Sequence, residues 1–293
     1  MWIDTPISVI ERPDNQLQLG SDPNTSTILS QVSARDATLI RKICSVKSPA
    51  DMRRLRSNYP QVTELEKMLV AAGYGVQRFH DYPEIRWAER MRVPSPEATR
   101  ASATIAISGL GRVGEAAARL FAHSGIGKIQ LSGTEASMVA AELADSPSAV
   151  TAQPYLTPSV AIRVTSHTFD LAWARECVND RVAHLPIVIH ESSIDIGPFV
   201  VVGVSPCLEC VMRQRAEYDP DATAVAAQLG GAPEITPDII VANRAAAFAA
   251  SQTINYLQGY LPETVSSLWR INPLEAVATW EKQYPYRDCR CRL

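Results

Sequence analysis

Residues 104–133, TIAISGLGRVGEAAARLFAHSGIGKIQLSG, restrict the possible folds more than any other stretch of the chain. An apolar β-branched run, a glycine-rich turn, an amphipathic helical repeat and a second apolar run make one βαβ unit, and parallel strands joined by a helix need a sheet covered on both faces. The alternation continues downstream, where VAIRVTS reads as a strand, residues 171–185 as a helix and PIVIHESS as another strand. GPFVVVGVSP then reads as a strand approaching Cys207, residues 210–218 and Ile239–Leu257 as helices, and SSLWRINP and AVATWEKQY as closing antiparallel strands. The expected fold class is α/β: a doubly wound, Rossmann-like, mostly parallel sheet.

A different pattern precedes it. ISVIER and LQLGSD flank Pro13-Asp14-Asn15, a hairpin signal, and helices are expected at Ala34–Cys44, at 51–57 behind a Ser48 cap with Pro49 at the first helical position, and at 62–72 up to Gly73. A hairpin leading three short helices has the make-up of a small winged-helix-like α+β module. Between the two regions, residues 78–103 are charged, lack a clean period and carry Pro83, Pro94 and Pro96. The expected organisation is therefore residues 1–77 as the module, 78–103 as a linker and 104–293 as the α/β domain.

The glycine loop carries the first chemical signal. Gly109, Gly111 and Gly114 follow a strand and open a helix, a setting in which backbone N–H groups can approach a phosphate, with Arg112 able to neutralise it. The alternative is that these glycines only allow close packing. A dinucleotide site would also need an acid at the end of the second strand, which ends Ser132-Gly133-Thr134, with Glu135 just beyond the expected position. Hydride transfer is accordingly not favoured.

Cysteine supplies the second signal. Of six, Cys207/Cys210 and Cys289/Cys291 form two close pairs, while Cys44 and Cys177 sit on expected helices as core residues. Four thiolates would close a tetrahedral structural zinc site without an open position, in a reducing, cytoplasmic setting; the alternatives are buried reduced cysteines or a redox disulfide. Lys+Arg 28 against Asp+Glu 31 gives a net charge of -3, so nucleic acid is a poor partner despite Arg53, Arg54 and Arg56 on the second helix beside Asp51. No apolar run reaches the ~20 residues of a membrane span, and no membrane association is expected. His190 and Glu191, at the end of PIVIHESS, stand where open α/β sheets place site residues, or His190 is a hydrogen-bonded structural histidine.

The strand–GLGRVG–helix unit, followed by PCLEC and CRC, resembles the ThiF/MoeB/ubiquitin-activating superfamily over residues 100–293. That resemblance implies ATP binding with magnesium, adenylation of a peptide or small protein, a homodimer and a structural zinc on the two cysteine pairs. It also implies a GxGGxG loop, where this chain has Arg112; an Asp-x-Asp after the second strand, where it has Ser132-Gly133-Thr134; and a magnesium-binding aspartate near Ser166-His167-Thr168, where Asp170 is nearest. GPFVVVGVSPCLECVMRQRAEYDPD, AVAAQLG and RDCRC look most like the ThiF-like leader-peptide-binding proteins of azoline-forming cyclodehydratase systems. Their N-terminal element implies an extended peptide added to the hairpin edge at 7–11 and 17–20, with residues 51–55 lining the groove. Ile7, Val9, Leu17, Leu19, Met52 and Leu55 are the candidate contacts. The leading expectation is a non-catalytic protein that binds a leader peptide and presents it to a modifying enzyme. The alternative is an active ATP-dependent adenylating enzyme built on Gly109, Gly111, Arg112, Gly114 and Asp170.

Overall fold

The computed structural model describes residues 2–3, 7–76, 83–90, 93, 96–153, 156–289 and 291, and the chain forms two compact units, residues 1–94 and 95–293. In the first, β1 (Trp2–Ile3) pairs with β5 (Gly75–Val76), while β2 (Val9–Arg12), β3 (Gln16–Leu19) and β4 (Thr27–Leu29) form an antiparallel sheet with β3 in the middle. Asp14 and Asn15 close the β2–β3 turn at φ 58° and 54°, a left-handed conformation that short Asx side chains tolerate. Helices α1 (Ala34–Cys44), α2 (Pro49–Asn58), α3 (Val62–Leu69) and α4 (Pro83–Arg90) complete the unit, with a π-helical turn at Val70–Tyr74. Ser33 and Ser48 cap α1 and α2 by accepting from the amides of Asp36 and Asp51, and Gly73 ends the π turn at φ 92°.

Alternation decides which sheet face is inside. Val9, Leu19 and Thr27 form one cross-strand row and Glu11, Leu17 and Leu29 another, and Leu17 and Leu19 join Ile40, Ile43, Met52 and Leu69 in the core. The opposite face presents Ile10, Gln18 and Ile28 in one row, with both isoleucines over 40 % exposed (41 % and 47 %).

In the second unit, α5 (Pro96–Ser102) precedes β6 (Thr104–Ser108), α6 (Arg112–Ala122), β7 (Lys128–Ser132), α7 (Ala136–Glu142), β8 (Ala149–Thr151) and β9 (Val160–Ser166). Then come α8 (Leu171–Asn179), β10 (Ala183–Ile189), β11 (Ile194–Ile196), α9 (Leu208–Tyr218), α10 (Ala222–Leu229), α11 (Ile239–Leu257), β12 (Ser267–Ile271) and β13 (Thr279–Lys282). The sheet runs β13-β12-β11-β10-β9-β6-β7-β8, parallel from β8 to β10 and antiparallel beyond. This is the α/β class expected. Helices α6 and α11 pack together through Ala117, Ala118, Ala242, Ala245, Ala246 and Ala249, small side chains that let two backbones approach closely over Ile105, Ile107 and Ile162.

Three expectations are corrected. Residues 83–90 and 96–102, read as linker, are helical, their period too short to register against the prolines. The helix expected at 171–185 stops at Asn179: Asp180 caps it, Arg181 turns at φ 56°, and Ala183, His184 and Leu185 belong to β10. GPFVVVGVSP forms no strand; the strand is Ile194–Ile196, and beyond it only isolated bridges at Phe199 and Val200 hold the chain to Val265 and His184. Pro198 brings no N–H to a ladder there.

His184 lies fully buried in β10, its Nδ1 2.9 Å from Val182 O, its Nε2 without a partner and its ring edge-on to Trp173. Burial drives its pKa down to about 4, against the smaller opposing pull of the Val182 carbonyl. The fold therefore takes the neutral ring. As pH falls below the ordinary 6.5 the unfolded chain gains a proton that the folded chain refuses, so stability declines from pH 6.5 to about 4 and then levels off. The shift corresponds to about 3 kcal/mol. Denaturant unfolding followed by tryptophan emission should show this decline in the native protein and a smaller one in His184→Gln.

Candidate functional site

The strand order reverses between β6 and β9, whose carboxyl ends splay around a crevice of about 990 Å³. Open α/β sheets bind ligands at such a switch point. The glycine loop forms one wall, and its three glycines do different work. A Cβ on Gly109 (φ 78°) would lie 2.0 Å from Val164 O, and one on Gly114 would lie 2.3 Å from Gly109 O, so both are required by close packing of loop, strand and helix. A Cβ on Gly111 would meet nothing within 4 Å, because Gly111 faces the open crevice. Close packing thus accounts for Gly109 and Gly114, and it does not account for Gly111. The first amides of α6, which an α-helix leaves unpaired, begin beside Gly111.

Arg112 also lines the crevice, but its Nη1 donates to Pro237 O at 2.9 Å. Pro237 belongs to a strap, residues 230–238, between α10 and α11. The same strap receives a hydrogen bond from His167 Nε2 at Pro233 O, 2.9 Å, and gives one from Ile235 N to Ser166 Oγ, 2.9 Å. The chain that walls the crevice is thereby pinned to the end of β9 and to the first residue of α6. Glu135, just beyond the position expected of a ribose acid, lines the crevice, where Gly133, at φ 128° and with open space around it, turns the chain after β7. Arg163, on β9, was not anticipated at all. It faces the crevice, and its Nη2 lies 2.9 Å from Asp170 Oδ2. Asp170 Oδ1 accepts the Trp173 amide at 3.0 Å as the cap of α8, so both of its oxygens are engaged.

His190 donates from Nε2 to Asp195 Oδ2 at 3.1 Å, and Arg270 clamps Asp195 through Nε and Nη2 at 2.7 and 2.8 Å. Burial alone raises the Asp195 pKa, but the hydrogen bonds from Arg270 and His190 outweigh it and hold the carboxyl at about 2. His190 is thus tied to the buried carboxylate of a half-exposed ion pair between β11 and β12. Glu191 is exposed, with Oε1 3.4 Å from His167 Nδ1.

Cys207, Cys210, Cys289 and Cys291 bring their four sulfurs within 4.8 Å of one another, at the N-terminus of α9. The separations 207–289, 210–291 and 207–210 are 3.5, 3.6 and 3.8 Å. Four ligands at 2.3 Å in a tetrahedron stand about 3.8 Å apart, so the cluster can hold a metal ion, and it is too open for a disulfide. A hydrogen bond from Cys207 pulls the Cys210 thiol down, toward the thiolate that a metal takes. Burial instead pushes Cys44 and Cys177 up to about 12, the state of inert core thiols.

The candidate peptide contacts divide. Leu17, Leu19 and Met52 are buried core residues, and β3, which carries the two leucines, is paired on both sides, so the stretch 17–20 is no edge. Ile7, Val9 and Leu55 are half-buried. The outer strands are β2 and β4, and their exposed apolar side chains are Ile10 and Ile28. Period-2 alternation in ISVIER puts apolar residues on both faces, which hides the exposed one. On α2, Arg56 is committed through Nε and Nη2 to the nearly buried Glu66 at 2.7 and 2.8 Å, while Arg53 and Arg54 are exposed. Among the described residues no helix is long and apolar enough to cross a membrane.

No protein-family model matches the chain, and no curated protein matches it significantly. Solved structures do. E. coli MccB, in a crystal structure with succinimide, shares 15 % identity with a TM-score of 0.64 over 99 % of this chain and 98 % of MccB. MccB crystallised with ATP gives 13 %, 0.63 and 99 % of each chain. MccB is a microcin C7 biosynthetic enzyme, and a structure of it in complex with N-formylated MccA gives 15 %, 0.62 and 99 % of each chain. PaaA gives 13 % and 0.63, over 94 % of this chain and 98 % of PaaA. At these identities the likeness is one of fold.

Proposed function

We propose that this chain is a ThiF-like protein that binds a leader peptide through its N-terminal unit and presents it to a partner modifying enzyme. On this reading its own crevice keeps a phosphate cradle but not the machinery of adenylation, and the four cysteines hold a structural zinc. The observation that carries it is the state of Asp170. Transfer to an α-phosphate needs a metal or cations that stabilise growing negative charge, and the carboxylate nearest that role has one oxygen on Arg163 and the other on the α8 cap. The three-stranded sheet supports the peptide half of the reading, with outer strands β2 and β4 and exposed Ile10 and Ile28 available to an added strand. MccB has been crystallised with the MccA peptide, which is consistent with peptide recognition on this fold.

The full chain should bind one of the short peptides encoded beside its gene, by calorimetric titration. Ile28→Glu should weaken binding by roughly tenfold, since a carboxylate replaces apolar contact at the outer strand. Absence of binding by every such peptide would remove the proposal.

The second reading is an active ATP-dependent adenylating enzyme. The open space beside Gly111 and Gly133 favours it. Peptide-dependent exchange of pyrophosphate into ATP would establish that reading over the first.

A further inference from the structure

The crevice contains a cation with no counterpart in the sequence patterns discussed above. Arg163 stands on β9 at the switch point, its main chain paired with Ser108 of β6 on one side and Pro186 of β10 on the other. Strand β9 buries Val160, Ile162 and Val164 on its α6 face, so Arg163 points to the other face, among the crevice walls. One guanidinium nitrogen meets Asp170 at 2.9 Å, and the buried Nε has no partner. An Arg–carboxylate pair that matched fork to fork would use two nitrogens on two oxygens. Here the second oxygen of Asp170 is spent on capping α8, so the guanidinium is only partly satisfied.

We propose that Arg163 is a fixed counter-charge for a phosphate, and that the crevice binds a nucleoside phosphate without a divalent cation. This rests on reading the crevice as a nucleotide site. Gly111 leaves room for a phosphate against the first amides of α6, and Arg163 faces the same space from β9. A metal at this end of the crevice would have to displace either the guanidinium or the helix cap from Asp170. The other carboxylates of the crevice, Glu135 and Glu234, lie exposed at its rim. An arginine on a rigid strand is preorganised for phosphate, which its planar fork matches.

The test is calorimetric titration of the full-length protein with ATP, once in EDTA and once in excess magnesium. The expected result is binding in EDTA, with an affinity within about threefold of that in magnesium. Arg163→Gln should weaken binding by roughly ten- to a hundredfold, the loss of a charge-assisted hydrogen bond, and Arg163→Lys should recover part of it. The double variant Arg163→Gln/Asp170→Asn keeps a neutral hydrogen-bonding pair, so it separates loss of charge from misfolding, and it should bind as weakly as Arg163→Gln. Binding in magnesium alone would overturn the inference and leave the crevice a nucleotide site. Binding in neither buffer would overturn both. Unchanged affinity in a folded Arg163 variant would also overturn it.

Discussion

Replacing Cys210 and Cys291 with serine should abolish metal binding and lower the melting temperature of the α/β unit by roughly 10 °C. The native protein, purified without chelator, should carry about one zinc per chain. The expected size follows from what the cluster joins. Cys207, Cys210 and Cys291 are buried against Val188, Val200, Leu208, Val211 and Leu268, so the sulfurs close an apolar core rather than decorate a surface. Structural zinc contributes far more than this in small fingers, on the order of 10–16 kcal/mol, because it is nearly their whole core. Here about 3 kcal/mol is expected, since α9 retains its apolar contacts, and in a unit of this size each kcal/mol moves the midpoint by roughly 2–4 °C. Metal analysis with scanning calorimetry tests both parts. A native protein without metal, or a double variant of unchanged stability, would contradict the assignment.

Gly109→Ala should be as damaging, while Gly111→Ala, two residues away, should leave the fold intact. At Gly109 the substitution meets two penalties: a left-handed φ of 78° and a Cβ 2.0 Å from the backbone oxygen of Val164. Strain of about 1–3 kcal/mol and overpacking of similar size sum to roughly 4 kcal/mol, visible as a lower denaturant midpoint. At Gly111 the new methyl enters empty space, so stability should change by less than about 1 kcal/mol. On the proposed nucleotide reading of the crevice the same methyl would stand where a phosphate sits, so ATP affinity should fall in this stable variant. Equal destabilisation by the two substitutions would show that the loop does not divide its labour this way.

The two features behind these predictions were legible in the sequence because each is written in residue types with few other uses. A strand, three spaced glycines and a helix define a crossover whose only economical setting is a covered parallel sheet. Two cysteine pairs in one chain are brought together by the same fold, whatever lies between. Other features escaped for identifiable reasons. His184 lies in a fully buried strand that follows closely on the helix before it, and only the turn at Asp180 and Arg181 separates them. The outward row of Ile10 and Ile28 escaped because β4 was not foreseen, and one hairpin alone does not say which of its faces is covered. Arg163 and Asp170 are seven residues apart, yet their meeting requires β9 to end, the chain to turn at His167 with φ 67°, and Asp170 to cap a helix that points back. That is a geometry of three elements, and no spacing rule encodes it.

The cysteine cluster has one further consequence, through the length of chain it encloses. A metal held on the sulfurs of residues 207 and 289, as proposed, would tie off a loop of about 80 residues, which contains α9, α10, the strap, α11, β12 and β13. Closing a loop of that length narrows the unfolded ensemble, one source of the stabilisation expected of the metal. Everything that walls the crevice from the strap side lies inside that segment, so the metal and the crevice wall would belong to one closed loop of chain.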